Sequence, residues 1–432
     1  MKKLVFVIIV MPAMLFWGCG SGTSGELYGV QGRLPWFQPD PYGMLYLPMG
    51  AYHMGPSDQD VPYAQTAAAK PVSVQAFYMD QTEITNNEYR QFVYWVRDSL
   101  ARRILGEEVS EEYFHMVDAF DQELDPPQLN WDEPIYWEDD EQREALDQMS
   151  LPEHERFYRR KRIDTRKLIF EYYRIDLRAA AQKSNREQGL KDRSVFIKKA
   201  FIGVYPDTLA WVHDFTYSFN EPMTRMYFWH PAYDNYPVVG VNWRQARAFC
   251  IWRSELFNSF LLSNGGTMVN DFRLPTESEW EYASRGGLDL SPYPWGGPYI
   301  RNSNGCFLAN FKPMRGNYID DGGFHTVVVT SYSPNEFGLY CMSGNVAEWT
   351  SNAYDESAYN FAHDLNQDYL YEAKDSDPPA LKRKVIRGGS WKDVAYYLQN
   401  GTRTYEYQDT AKCYIGFRSV MTYLGRAKGD EF

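Results

Sequence analysis

A change of style splits this sequence. Between Glu107 and Asp147 there are 16 acidic residues and one basic residue, Arg143; between Arg156 and Lys199 there are 15 basic and five acidic. On either side, residues 44–96 and 229–421 share a different texture, with short apolar runs separated by Gly and Pro turns. Two flanks of one style around a foreign middle describe a single domain interrupted by an insertion, 97–228, and not three domains in a row. No fixed-period repeat runs through the chain.

The flanks predict a mixed α+β domain with little regular secondary structure. "MLYLPMGAYHMG" and "VSVQAFYMD" read as strands. The helix that follows has Thr85 and Glu88 as a capping box and sets Tyr89, Phe92, Val93 and Val96 on one face. Asn242 caps a second helix with Ala246, Phe249 and Cys250 facing inward, and a Thr276/Glu279 capping box opens a third that stops at Gly286. Aromatic residues make up 17% of the chain, including 34 tyrosines, which suits loops held by amphipathic rings. In the insertion, Ile163, Leu168, Tyr172, Ile175 and Ala179 form a stripe at helical spacing, so the segment is expected to be largely helical. Its charge runs read as solvated faces. Blocks of opposite sign also fold against each other or meet a neighbour's complementary block, which marks Arg159, Arg160, Lys161 and Arg162 as interaction candidates.

At the N-terminus, Lys2 and Lys3 precede an apolar run, Leu4 to Trp17, that is short for a bilayer span and has the layout of a secretory signal. "LFWGC" resembles a bacterial lipobox, with Phe16 where leucine is usual. It predicts a signal peptide over 1–18 and lipidation of Cys19, with residues 19–43, beginning "CGSGTSG", as a tether. By resemblance to lipoprotein sorting, the absence of an aspartate after Cys19 and of an acidic cluster points to the outer membrane, facing the periplasm. Residues 422–432 form a tail. The net charge of −13 excludes a nucleic-acid partner that depends on clustered Lys and Arg. Cys250, Cys306, Cys341 and Cys413 match no zinc spacing; outside the cytoplasm they could pair as disulfides, while Cys250 reads as a buried thiol.

Taken in order, "MDQTEITNNEYRQFV", "HPAYDNYPVVGVNWRQARAFCIW", "FRLPTESEWEYASRGG", "YPWG", "ANF", "NEFGLYCMSGNVAEWTSNAY", "KVIRGGSW" and "GFRSV" resemble the formylglycine-generating-enzyme, or sulfatase-modifying-factor, family. With the strand runs, the match covers about 245 of the 432 residues. The resemblance implies a C-type-lectin-like α+β fold. Active members hold copper on two cysteines downstream of the "RGGSW" motif, and those positions here are Asp393 and Leu398. Neither supplies the soft thiolate that Cu(I) prefers. An iron-dependent branch relies on histidines, and the seven here are scattered singly. The resemblance therefore implies a pseudoenzyme.

It also implies two calcium sites. Glu348, with the backbone of Gly344 and Val346, corresponds to one, although Cys341 stands where that site expects asparagine; Asn310, Phe311 and Asp321, with Phe324 near, correspond to the other. The same side chains could instead close turns by hydrogen bonds. Arg387, Gly388, Gly389, Arg418 and Glu279 read as buried ion pairs and glycine turns.

Within the family, a lipidated N-terminus and a long charged insertion resemble the gliding-motility lipoproteins of the type IX secretion system in Bacteroidetes, the K type more than the related J type. That implies a periplasmic ring built by self-association with a GldN/PorN-type partner, and contact with inner-membrane motor components of the GldL/GldM type. The rival readings are a lectin-like binder of glycan or peptide, with Trp391 and Tyr397 as stacking surfaces, and an oxidase using other ligands.

Overall fold

The computed structural model describes residues 36–56, 69–117, 121–187, 192–214, 221–314, 319, 323–363 and 366–425. Cys19, Asp321 and the tail from 426 onward lie outside them.

Strand β1 (Met44–Leu47) pairs with β4 (Phe77–Asp80), and β2 (Gly50–Met54) forms a hairpin with β3 (Lys70–Val74). Helix α1 then runs from Asn86 to Glu108, past the residues that carry its apolar face and into the acidic segment. Its capping box forms as expected: the Thr85 side chain accepts from the Glu88 N–H, and Glu88 accepts from the Thr85 N–H.

The expected helical insertion does not form. The segment makes two hairpins, β5 (Phe114–Val117) with β6 (Glu123–Leu129) and β7 (Ile169–Ile175) with β8 (Ile197–Gly203), joined by short helical turns. The stripe at helical spacing splits between faces, with Leu168 buried at 3% exposure and Ile175 exposed at 61%. Five of the seven residues of "IFEYYRI" are β-branched or aromatic, types that lose rotamer freedom in a helix and pack well on a pleated surface. Its even positions, led by Phe170, face inward and its odd positions outward.

Helix α2 (Trp243–Ser263) carries the expected Asn242 cap, and α3 (Glu277–Arg285) ends at Gly286 in the left-handed conformation, φ 60°. Strand β9 (Phe272–Arg273) lies between them. Then come β10 (Ala347–Ala353), β11 (Arg383–Arg387), β12 (Thr404–Tyr407), β13 (Ile415–Gly416) and β14 (Val420–Thr422). They complete two four-stranded sheets, in the orders β1-β4-β14-β9 and β12-β11-β10-β13. Only the β10–β13 pairing is parallel.

The largest core joins α1 to α2. Tyr89 stacks on Phe249 with ring centroids 5.6 Å apart, and Trp349 and Phe417 close the cluster. Hairpin β7–β8 enters the same core: Phe170 meets Phe92 edge-on at 5.2 Å, the Tyr89 hydroxyl donates to Val204 O at 2.9 Å, and Gln245 Nε2 donates to Gly203 O at 2.9 Å. The interrupting segment is thus knitted into the domain. The second core fills the space between the first sheet and α3 with Leu47, Phe77, Met79, Trp280 and Val420. All four described cysteines are free thiols, with Cys250, Cys341 and Cys413 buried and Cys306 exposed, so the disulfide alternative does not hold. Among the described residues, no helix is long and apolar enough to cross a membrane.

Candidate functional site

Strands β10 and β11 set Glu348 opposite Arg387. Beyond β11 the chain turns sharply through Gly388 and Gly389, at φ 90° and 67°. A Cβ on Gly389 would stand 2.8 Å from Tyr397 O, so only glycine fits. The turn carries Arg387 inward, where it is 1% exposed. Its guanidinium bonds the Glu281 carboxylate, donates to Asn400 O at 2.6 Å and Thr402 O at 2.9 Å, and lies 3.4 Å from Glu277. Glu281 also accepts from Arg285 Nη2 at 2.6 Å and from Gly55 N–H at 2.8 Å. Glu277 receives Arg403 Nε at 2.5 Å. Burial opposes ionisation of Glu277, but Arg403 and Arg387 outweigh it and hold its carboxyl below the usual range. Two carboxylates and three guanidiniums thus bolt α3 to β11 and the loops around it, with no face left toward solvent for a substrate.

The positions expected to bear copper ligands are part of this packing. Asp393 Oδ2 accepts from the Ser390 N–H at 3.0 Å and from Ser390 Oγ at 2.6 Å, so its carboxylate closes the turn. Leu398 is 0% exposed and packs with Tyr293, Ala309 and Phe311. Cys413 is buried; burial and the neighbouring Asp214 carboxylate push its thiol well up, away from thiolate character.

The tryptophan of the same motif is covered as well. Trp391 lies parallel to Trp211 with centroids 6.2 Å apart, and His325 meets it edge-on at 4.9 Å. Trp391 is 7% exposed, so the expectation that it stacks on a sugar fails; Tyr397, at 40%, remains accessible. Trp211 and Asp214 come from the interrupting segment, and Asp214 Oδ2 accepts the Cys413 N–H at 3.1 Å. Sequence reasoning missed both, because nothing local in "TLAWVHD" signals a contact nearly 200 residues away.

Glu348 gives both oxygens to Arg418, at 2.6 and 2.8 Å, and accepts Trp280 Nε1–H at 2.7 Å. Cys341 directs its thiol to Val329 O at 3.3 Å, and Val346 is buried in an apolar cluster. A divalent cation would sit against a guanidinium, so the Gly344–Val346–Glu348 set does not fit one. In the other set, Asn310 Nδ2 donates to His325 O at 2.7 Å and Phe311 packs edge-on to Phe307, while Asp321 lies outside the described residues. Among the described residues no three His, Cys, Asp or Glu side chains come together as a metal cluster.

One buried carboxyl escaped sequence reasoning. Glu83 is 0% exposed and accepts from Asn345 Nδ2 at 3.1 Å. Burial first, then the nearby Glu348, raises its pKa well above the ordinary carboxylate range.

Arg159, Arg160, Lys161 and Arg162 are exposed. Among them only Lys161 makes an ion pair within the described residues, to Asp147 at 2.9 Å; Arg156 reaches the same carboxylate at 3.3 Å. The two charge blocks therefore meet at one junction; elsewhere the basic block pairs with nearby carboxylates, Arg166 with Asp164, Lys198 with Asp176 and Lys199 with Glu171, and Arg174 reaches Glu372.

The chain matches the sulfatase-modifying factor enzyme 1-like domain over residues 35–161 and 174–423. It is 35% identical over 202 residues to the inactive C-alpha-formylglycine-generating enzyme 2 of Bos taurus, covering 45% of this chain and 53% of that protein. Against the formylglycine-generating enzyme of Mus musculus the identity is 31% over 199 residues, 45% of this chain and 46% of the other. The chain spans about half the length of these relatives. Among solved structures, PvdO from Pseudomonas aeruginosa aligns over 88% of this chain and 94% of its own at 17% identity and a TM-score of 0.46. With the family profile matched over most of its length, the chain belongs to the sulfatase-modifying-factor (FGE-sulfatase) family.

Proposed function

We propose that this protein is a non-catalytic structural lipoprotein of the GldK/PorK type, tethered to the outer membrane through Cys19. In this reading it builds a periplasmic ring of the type IX secretion and gliding machinery with a GldN/PorN-type partner. The observation that carries the non-catalytic half is the repacking of Asp393 and Leu398: one closes a turn, the other fills the core. The inactive formylglycine-generating relatives lend it support. The assembly half rests on the N-terminal lipobox resemblance and on the exposed charge blocks, which suit contacts between copies or with a partner.

Two measurements test the halves separately. Purified protein is expected to carry no stoichiometric copper or iron and to leave a cysteine peptide unoxidised; turnover by clean material would overturn the first half. Solubilised from its native membrane, it is expected to copurify with a partner as a large annular particle; recovery as an isolated monomer would overturn the second.

A ligand-binding role has one observation in its favour. A cavity of about 380 Å³ is lined by Tyr354, Tyr369, Asp355, Glu356 and Arg383, a mixture of rings and charges that suits a polar ligand. Protection of Tyr354 from chemical modification by a soluble glycan would favour that role.

A further inference from the structure

Hairpin β7–β8 has one face in the core and one in water, and the outer face is apolar. Ile169, Tyr173 and Ile175 on β7 and Ile197 and Phe201 on β8 are 47–63% exposed. The register sets Ile175 opposite Ile197, Tyr173 opposite Lys199 and Glu171 opposite Phe201, so these side chains share one surface. At the closed end Leu177 and Val195 add 73% and 66% exposure. The usual antiparallel pattern puts polar residues on the wet face, and this hairpin departs from it. Large apolar patches of this kind mark binding surfaces.

The polar members of the face narrow the occupant. Glu171 and Lys199 pair with each other across the strands, and the Lys199 ammonium lies 5.7 Å over the Tyr173 ring and 5.2 Å over that of Phe201. The centre of the face is therefore neutral. A bilayer would have to take the Glu171 carboxylate out of water, at a high cost. A strongly charged partner would find no free charge there to pair with. A second copy also covers the Glu171–Lys199 pair, but it brings a carboxylate and an ammonium of its own in the same surface to bond it, which a bilayer core does not, and its apolar side chains meet apolar side chains. The size also agrees. Seven side chains exposing on the order of 100 Å² each approach the roughly 800 Å² that one partner gives to an interface of standard size. The surface is preorganised, since Phe170 on the inner face is locked against Phe92.

We propose that the outer face of β7–β8 docks a second copy of this chain, hairpin against hairpin about a two-fold axis. The contact is isologous, so it is additional to the head-to-tail contacts that a ring needs and does not depend on the ring being real.

The test uses the purified full-length chain in a mild detergent. Sedimentation is expected to show a monomer–dimer equilibrium with a dissociation constant on the order of micromolar. Tyr173→Lys combined with Phe201→Lys places four added cations at the two-fold contact and is expected to weaken association at least about 100-fold. Because both side chains face water, the urea midpoint of this variant should match the parent's, which separates lost docking from lost folding. A benzophenone amino acid at position 173 should crosslink to the β7–β8 peptide of the other copy. A chain monomeric at 100 µM (about 100 times that dissociation constant), a variant that dimerises as the parent does, or a probe that labels detergent or any other peptide overturns the proposal.

Discussion

Residues 383–403 and residues 107–199 are both rich in charge, and they use it in opposite ways. Around Arg387 three arginines and two glutamates share one buried network at 0–10% side-chain exposure. In the interrupting segment the acidic and basic blocks touch at Asp147, most other ion pairs are partly exposed, and Arg159, Arg160 and Arg162 stand in water without a partner among the described residues. The first arrangement holds loops that lack regular backbone ladders; the second leaves surface free for something outside the chain. Sequence density of charge is thus no guide to its role, whereas burial and pairing are.

The sharpest way to break the contrast is to remove one member from each side. Arg387→Ala takes the shared guanidinium from two buried carboxylates, leaving Glu281 to Arg285 and Glu277 to Arg403, and is expected to cost about 3–5 kcal/mol in chemical denaturation. Arg160→Ala, by the same measurement, should stay within about 0.5 kcal/mol. Equal losses would dissolve the distinction.

The same contrast runs through the two faces of one hairpin. Phe170→Ala opens a hole against Phe92 and should cost about 3–5 kcal/mol, while Phe201→Ala on the wet face should cost under about 0.5 kcal/mol in the monomer. At the turn after β11, Asp393→Ala should lose about 1 kcal/mol with its two bonds to Ser390.

The two halves of the chain were unequally legible. The capping boxes at Thr85 and Thr276 and the cap at Asn242 depend on residues within one turn, so they could be read directly and they formed. The site could be read by register from the "RGGSW" motif, which located Asp393 and Leu398. The β7–β8 hairpin could not, because Leu168, Tyr172 and Ile175 fit a helical period as well as a strand, and only docking against Phe92 decides. Trp211, Asp214 and Glu83 were silent for a related reason: each acquires its role from partners far away in sequence. The partner that occupies Glu348 was equally hidden, since Arg418 lies 70 residues beyond it.

Glu83 sharpens the comparison through pH. Its folded pKa is raised, the reverse of the paired Glu277. Its contribution to stability is therefore fully present below the unfolded value near 4.5 and is lost as pH rises toward the folded value. Glu83→Gln keeps an acceptor for Asn345 without a charge to bury. It should gain on the parent as pH rises above the unfolded value near 4.5, with the two converging at the acid end. A gap that widened toward acid would mean the carboxylate is stabilised, not penalised.

The smallest effect on stability concerns the residues with the most to say about assembly. Arg159, Arg160 and Arg162 have no ion-pair partner among the described residues, and Lys161 has one that is half exposed. Reversing all four to glutamate should shift the unfolding free energy by about 1 kcal/mol or less, because each charge is screened by water. Association is a different quantity. If these cations meet the acidic block of a neighbour or partner, the reversal weakens assembly strongly at low salt and far less at high salt, where the Debye length falls from about 30 Å at 0.01 M to about 3 Å at 1 M. Sedimentation of the parent and reversed chains at those two ionic strengths reads this directly. Unchanged assembly at low salt would show that the basic block is merely solvated, and would leave the apolar hairpin as the better-founded contact of the two.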